Sequence, residues 1–220
     1  MLTYVLDVRD LSDVRFVLAP MNETSLSLFH LNTTHDSSAH LQRWRSNAQA
    51  QRDRYDHRLV SALVAPSGNA IPDFLTPMPP LGDSRPSLDE GLTAIAATDP
   101  ALIHAQLDEL REGGDPSPAL ARLLDDPERA GPRIAGALER YHRVVIAPIW
   151  PSVNRILESD ITFRGRELAI GGPTQLFASL NPNLAWDRDG RLRLDLAYTR
   201  SGEYASAGRG LILIPSVFLT

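Results

Sequence analysis

The chain has 220 residues, 43% of them hydrophobic and 22% charged, with a formal net charge of −5. That supports a real core in one domain or two small ones and excludes a mostly disordered chain. There is no cysteine and every basic residue is Arg, which excludes disulfides, thiolate metal sites, cysteine nucleophiles, Schiff-base lysines, P-loop nucleotide binding and Ser-Lys hydrolysis.

Residues 2–8 alternate, with Leu2, Tyr4, Leu6 and Val8 on one face, which predicts a half-buried strand. A second short strand is expected over 14–18. From 21 to 63 the pattern turns helical. Leu26, Phe29 and His30 share a face, and Leu41, Trp44, Ala48, Tyr55 and Leu59 form a longer stripe. Residues 43–58 are Arg-rich, and Arg52 and Asp56 are spaced for an i,i+4 pair. Asp53 and Asp56 interrupt the run, so a solvated helix face is favoured over contact with nucleic acid.

Residues 66–86 hold six prolines and form neither a helix nor a central strand. Ile71, Phe74, Leu75 and Met78 predict a long loop that packs down onto the core. Ser87 and Glu90 make a capping box, and Asp99-Pro100 opens another helix with Leu102, Ile103, Leu107 and Leu110 inward. Gly113-Gly114 stops it, and a short helix follows over 117–124. Asp126-Pro127 begins what is expected to be the longest helix, striped by Ile134, Leu138, Tyr141 and Val145. Pro148 and Pro151 kink or restart it, with Val153, Ile156 and Leu157 continuing the apolar face. Strands are expected over 183–186 and 192–198 about the turn Asp187 to Gly190, with Leu192, Leu194, Leu196 and Tyr198 on one face. The apolar run 211–214 is expected to be a strand buried on both faces. It leads to Thr220 without a polar tail, so more protein is expected beyond it. The expected fold is α+β: a small sheet built from N- and C-terminal strands with a mainly helical middle, as a single domain over 1–220.

No stretch approaches the roughly 20 apolar residues of a membrane span. The N-terminus has no signal-peptide pattern, so the expected location is cytoplasmic, with no membrane partner. The acidic balance argues against the whole chain coating nucleic acid. His30, His35, Asp36 and His40 form the histidine cluster. The histidines step by five residues, about 140° of helix rotation, so they do not share a face and no metal is expected. There is no Gly-x-Ser-x-Gly elbow, and Asp125-Asp126 is best read as a helix cap. Gly171-Gly172 and Gly208-Arg209-Gly210 are not dinucleotide fingerprints, so no cofactor is expected. A ligand pocket is placed between the kinked helix and the Pro-rich loop, lined by Phe74, Tyr141, His142 and Trp150.

Several motifs occur in order: Ile71 to Pro77; Tyr141-His142 with Ala147 to Pro151; Gly171-Gly172 with Leu176 to Leu180 and Trp186; and Gly208 to Phe218. Together they resemble the N-terminal region of actinobacterial ArsR-like winged-helix transcriptional regulators. The resemblance covers nearly the whole chain. It implies a sensory or oligomerisation domain that precedes a C-terminal winged helix, and that winged helix is absent from these residues. It implies further a small-molecule effector, a homodimer, and DNA binding only through the missing domain. It does not imply metal sensing, since the family's thiolates are lacking. The function expected is therefore a non-enzymatic effector-sensing or dimerisation domain. The alternative is a small hydrolase-like enzyme using His142 or His30 as a base.

Overall fold

The computed structural model describes residues 1–31, 38–68, 70–79, 85–187, 189–195 and 201–219. In chain order the elements are β1 (Leu2–Val5), α1 (Val8–Ser12), β2 (Val14–Phe16), α2 (Pro20–Leu26), α3 (Leu28–Leu31), α4 (Ala39–Ala50), α5 (His57–Ser61), α6 (Leu88–Ala96), α7 (Pro100–Glu109), α8 (Pro118–Leu124), α9 (Pro127–Tyr141), α10 (Trp150–Leu180), β3 (Leu184–Trp186), β4 (Arg191–Leu194), β5 (Gly202–Ala205) and β6 (Leu211–Leu213). The described residues are 58% helical with a small mixed sheet of N- and C-terminal strands, so the fold is α+β. It divides into two compact units, one of Met1–Leu18 with Arg155–Pro215, the other of Ala19–Asn154 with Ser216–Thr220.

In the first unit, four strands are ordered β3-β4-β1-β5. β1 runs antiparallel to β4, Tyr4 facing Leu192, and parallel to β5. The N-terminal strand thus joins the strands after 183, as its alternation predicts. It is shorter than expected, because Asp7 caps α1. The Asp7 carboxylate accepts the amides of Arg9 and Asp10, and Asp10 Oδ2 accepts the Asp7 amide at 2.9 Å. This reciprocal cap turns the chain at once and leaves Val8 82% exposed rather than on the sheet face. The last apolar run does not enter this sheet either. β6 pairs in parallel with β2 as a separate two-stranded sheet, and Leu211, Ile212 and Leu213 are only half-buried. Residues 196–200, where the alternation was expected to continue, and Thr220 lie outside the described residues.

Leu6, Leu176, Phe177 and Leu192 are the buried apolar cluster of this unit, with the Trp186 ring 5.1 Å from that of Phe177. Leu176 and Phe177 follow a break in α10 at Gly172, where φ is 67°. Pro173 then restarts the helix, its missing N–H costing nothing in a first turn. α10 is thus a longer helical run than α9, contrary to expectation, and Ile156 lies on its exposed side.

In the second unit α5, α6, α7 and α8 all pack on α9. Its expected stripe is buried: Ile134, Leu138 and Tyr141 are inaccessible and Val145 nearly so. The capping box at Ser87 and Glu90 forms, and Asp99 and Ser117 cap α7 and α8. Leu102, expected inward, is exposed on α7. The Arg-rich stretch is not one helix. α4 ends at Ala50, a 3₁₀ turn covers Arg52–Arg54, and α5 begins behind Asp56. Asp56 accepts the Leu59 amide at 3.1 Å, so it caps α5 rather than holding the expected pair position on one helix with Arg52. The stripe Leu41, Trp44, Ala48, Tyr55 and Leu59 is nevertheless buried throughout. In the Pro-rich segment a 3₁₀ turn, Asp73–Leu75, buries Phe74 and Leu75, while Met78 is exposed.

Candidate functional site

Helix α2 is short and polar, Pro-Met-Asn-Glu-Thr-Ser-Leu, yet Met21, Asn22, Glu23, Thr24 and Ser25 are all buried, as is Ser27 after it. Buried polar groups need partners, and these find them in three places. Ser25 donates to the Leu75 carbonyl at 2.6 Å, which ties the Pro-rich segment down. Thr24 and Ser27 meet the end of α9. Glu23 meets residues 216–217.

The end of α9 is a π-helical turn, His142–Ile146, closed by the Ala147 amide on the His142 carbonyl at 2.8 Å. Pro148 explains it: without an N–H, and with a ring that would strike the Val144 carbonyl, it cannot extend an α-helix. Widening the turn before it is the low-cost escape, and π turns are frequent at functional sites. This is where the expected kink lies.

Proton positions in the seam follow from counting. Thr24 Oγ1 donates its one hydrogen to the Pro20 carbonyl at 2.7 Å, so it can only accept from His142 Nδ1, also at 2.7 Å. His142 is therefore the neutral tautomer protonated on Nδ1, and burial holds its pKa below the usual imidazole value. Ser27 likewise donates to the Thr24 carbonyl and accepts from the Tyr141 hydroxyl, each at 2.7 Å. Burial pushes the Tyr141 hydroxyl well above the ordinary phenol range.

Glu23 is 1% exposed. Its Oε2 accepts the Val217 amide at 3.2 Å, and Oε1 has no partner among the described residues. Burial raises its pKa to about 7, against the opposing pull of the Ser216 hydroxyl and the Val217 amide. The residues that approach it belong to a C-terminal strap. Within that strap Phe218 is buried against Trp44, ring centroids 4.9 Å apart, and His30 Nε2 donates to the Phe218 carbonyl at 2.6 Å.

The residues expected to line a pocket are thus distributed as follows. Tyr141 and His142 form the seam, and Trp150 is half-buried with its ring 6.5 Å from that of His142. Phe74 packs into the same hydrophobic cluster as Tyr141, its amide donating to Gln106 Oε1 at 3.1 Å. None of the four lines the concavity of about 540 Å³ that lies against α5, the 64–68 turn and the α7–α8 connection. Sequence reasoning missed Asn22, Glu23, Thr24, Ser25 and Ser27, because a polar run behind a proline looks like any solvated first turn. His35 and Asp36 lie outside the described residues. Among the described residues no group of three His, Asp or Glu is placed to hold a metal ion, and no helix is long and apolar enough to cross a membrane. The chain matches no family model, no curated protein and no solved structure.

Proposed function

We propose that this chain is the effector-sensing domain of a cytoplasmic transcriptional regulator. In this reading it is non-enzymatic, self-associating, and does not itself read DNA sequence; readout belongs to an element outside residues 1–220. The ordered motifs from Ile71 to Phe218 support the regulator class through their resemblance to ArsR-like proteins. The observation that carries the sensing role is Glu23. A buried carboxyl with one unbonded oxygen costs free energy, and the strap residues Ser216 and Val217 are what hold it. A segment anchored on a costly group is poised between held and released states. An effector with unequal affinity for the two shifts that balance and couples the domain to its output.

The test is transcript profiling of a strain carrying Glu23→Gln at the native locus, with protein abundance followed by immunoblot. Altered expression of a small gene set at unchanged abundance is expected. An unchanged transcript profile overturns the reading, and hydrolysis by the purified chain that is lost in His142→Phe would establish the enzyme instead. Residues 1–220 are also titrated against the promoter beside their own gene at physiological salt, with scrambled DNA as control. Sequence-indifferent, salt-sensitive binding is expected. Sub-micromolar discrimination of the promoter would make this chain the reader.

A further inference from the structure

We infer that the concavity beside α5 is a binding site for a small apolar monocarboxylate. Its volume, about 540 Å³, falls within the roughly 300–1,000 Å³ typical of small-molecule sites. The floor is apolar: Val64, Leu110 and Leu120 line it and all three are buried side chains. Water against such a surface gains nothing, so an apolar body displaces it favourably.

The charged groups at the site set the ligand's polar end. Arg58 lines it, is exposed, and makes no side-chain hydrogen bond or ion pair among the described residues. Arg111 is held in place, Nη1 on Asp108 Oδ1 at 2.9 Å and Nε on the Gly114 carbonyl at 3.1 Å. A guanidinium presents parallel N–H groups that match a carboxylate, and Arg58 has all of its own uncommitted. Asp115 also lines the site. Arg111 is already paired with Asp108, so Arg58 is the guanidinium left to a ligand, and it favours a single negative charge, since a second charge on a compact ligand would face Asp115. The apolar floor and the free Arg58 together select an acid with an aliphatic or aromatic body over a sugar, a phosphate or a diacid. This assigns the effector class for the sensing role proposed above and rests on that reading for its biological meaning, while the binding itself is measured independently of transcription.

The probes are 3-phenylpropanoate and octanoate, with 3-phenylpropanamide and succinate as neutral and dianionic controls, titrated into the isotopically labelled 220-residue chain and followed by amide NMR. The shifts should cluster at residues 58–68 and 110–120. The acid should bind about tenfold or more tightly than its amide, as one charge-assisted pair implies. Arg58→Gln, a change at an exposed side chain, should erase that advantage without altering the thermal melt. Ala62→Phe, which fills the site, should abolish binding of both acids. Shifts centred elsewhere, an amide that binds as well as the acid, succinate that binds better than either acid, or an Arg58→Gln chain that binds as the parent does would each overturn the site. Failure here leaves the transcript test standing, and failure there leaves the binding result intact.

Discussion

The Thr24 hydroxyl joins two helix ends: it donates to the Pro20 carbonyl and accepts the Nδ1 hydrogen of His142, both at 2.7 Å. One small side chain thereby spends its hydrogen on an α2 carbonyl and fixes the tautomer of a buried imidazole at the π turn. Ser27 repeats the arrangement one turn on, with Tyr141.

Removing one member of such a pair leaves the other unsatisfied, which costs about 1–3 kcal/mol, whereas removing both is close to neutral. Ser27→Ala should therefore lower unfolding stability by about that amount, and adding Tyr141→Phe should recover part of the loss. Thr24→Val should cost a comparable amount, because the buried His142 Nδ1–H loses its acceptor. Denaturant unfolding of the single and double variants checks this. A double variant less stable than Ser27→Ala would show that the Tyr141 hydroxyl has another essential partner.

Glu23 makes stability depend on pH. Its pKa is raised from 4.5 to about 7 by burial. Between those values the native state binds more protons than the unfolded state, so stability falls as pH rises. The stabilisation is complete below pH 4.5 and lost through pH 7, on the order of 3 kcal/mol at 1.36 kcal/mol per unit. His142 acts in the opposite sense. Its folded pKa is depressed below 6.5, so the unfolded state takes protons first and stability is lost as pH falls below that value. Glu23→Gln should raise stability at pH 8 and leave the limb of the depressed histidines His142 and His57, with stability decreasing on acidification. Denaturant midpoints at intervals from pH 5 to 8 separate the two.

Phe218 anchors the strap by its ring, 2% exposed and packed against Trp44. Phe218→Ala should cost about 3–5 kcal/mol, the usual range for a buried Phe truncated to Ala. It should also open residues 216–219 to proteolysis before the helices melt. Limited digestion followed by mass spectrometry reads this directly, and a strap that stays protected would place its anchor on the Glu23 and His30 contacts instead.

Gly190 closes the β3–β4 hairpin at φ 82°, with its carbonyl accepting the Leu6 amide at 2.8 Å. A Cβ there would sit 2.5 Å from the Leu6 carbonyl oxygen. Gly190→Ala therefore meets both backbone strain and a backbone clash, of order 1–3 kcal/mol for the conformation alone. The Leu6 amide should exchange its hydrogen faster in this variant than in the parent, and unchanged protection would show that the turn can shift to accommodate the methyl group.

Much of the fold follows from local chemistry that a linear reading captures. The capping box of Ser87 and Glu90, the start of α7 at Asp99-Pro100 and the stripe Ile134, Leu138, Tyr141 and Val145 each depend on residues a few positions apart, while the pooling of the terminal strands follows from apolar alternation at both ends, since neither end makes a stable sheet alone. Where local signals compete, the stronger one is not always the apolar period: the Asp7–Asp10 cap ends β1 although Leu6 and Val8 continue its alternation. The seam could not be read in this way. Thr24 and His142 are 118 residues apart and Glu23 and Val217 are 194 apart, and nothing near a polar run states whether water or a distant partner will satisfy it. Local energies make the Ser87 capping box, the start of α7 and the buried face of α9 legible in the chain, whereas the break between α4 and α5 and the Asp56 cap are not. That Glu23, Thr24 and Ser27 are buried emerges from long-range packing alone, because burying a polar group is tolerable only where a remote donor or acceptor arrives to meet it.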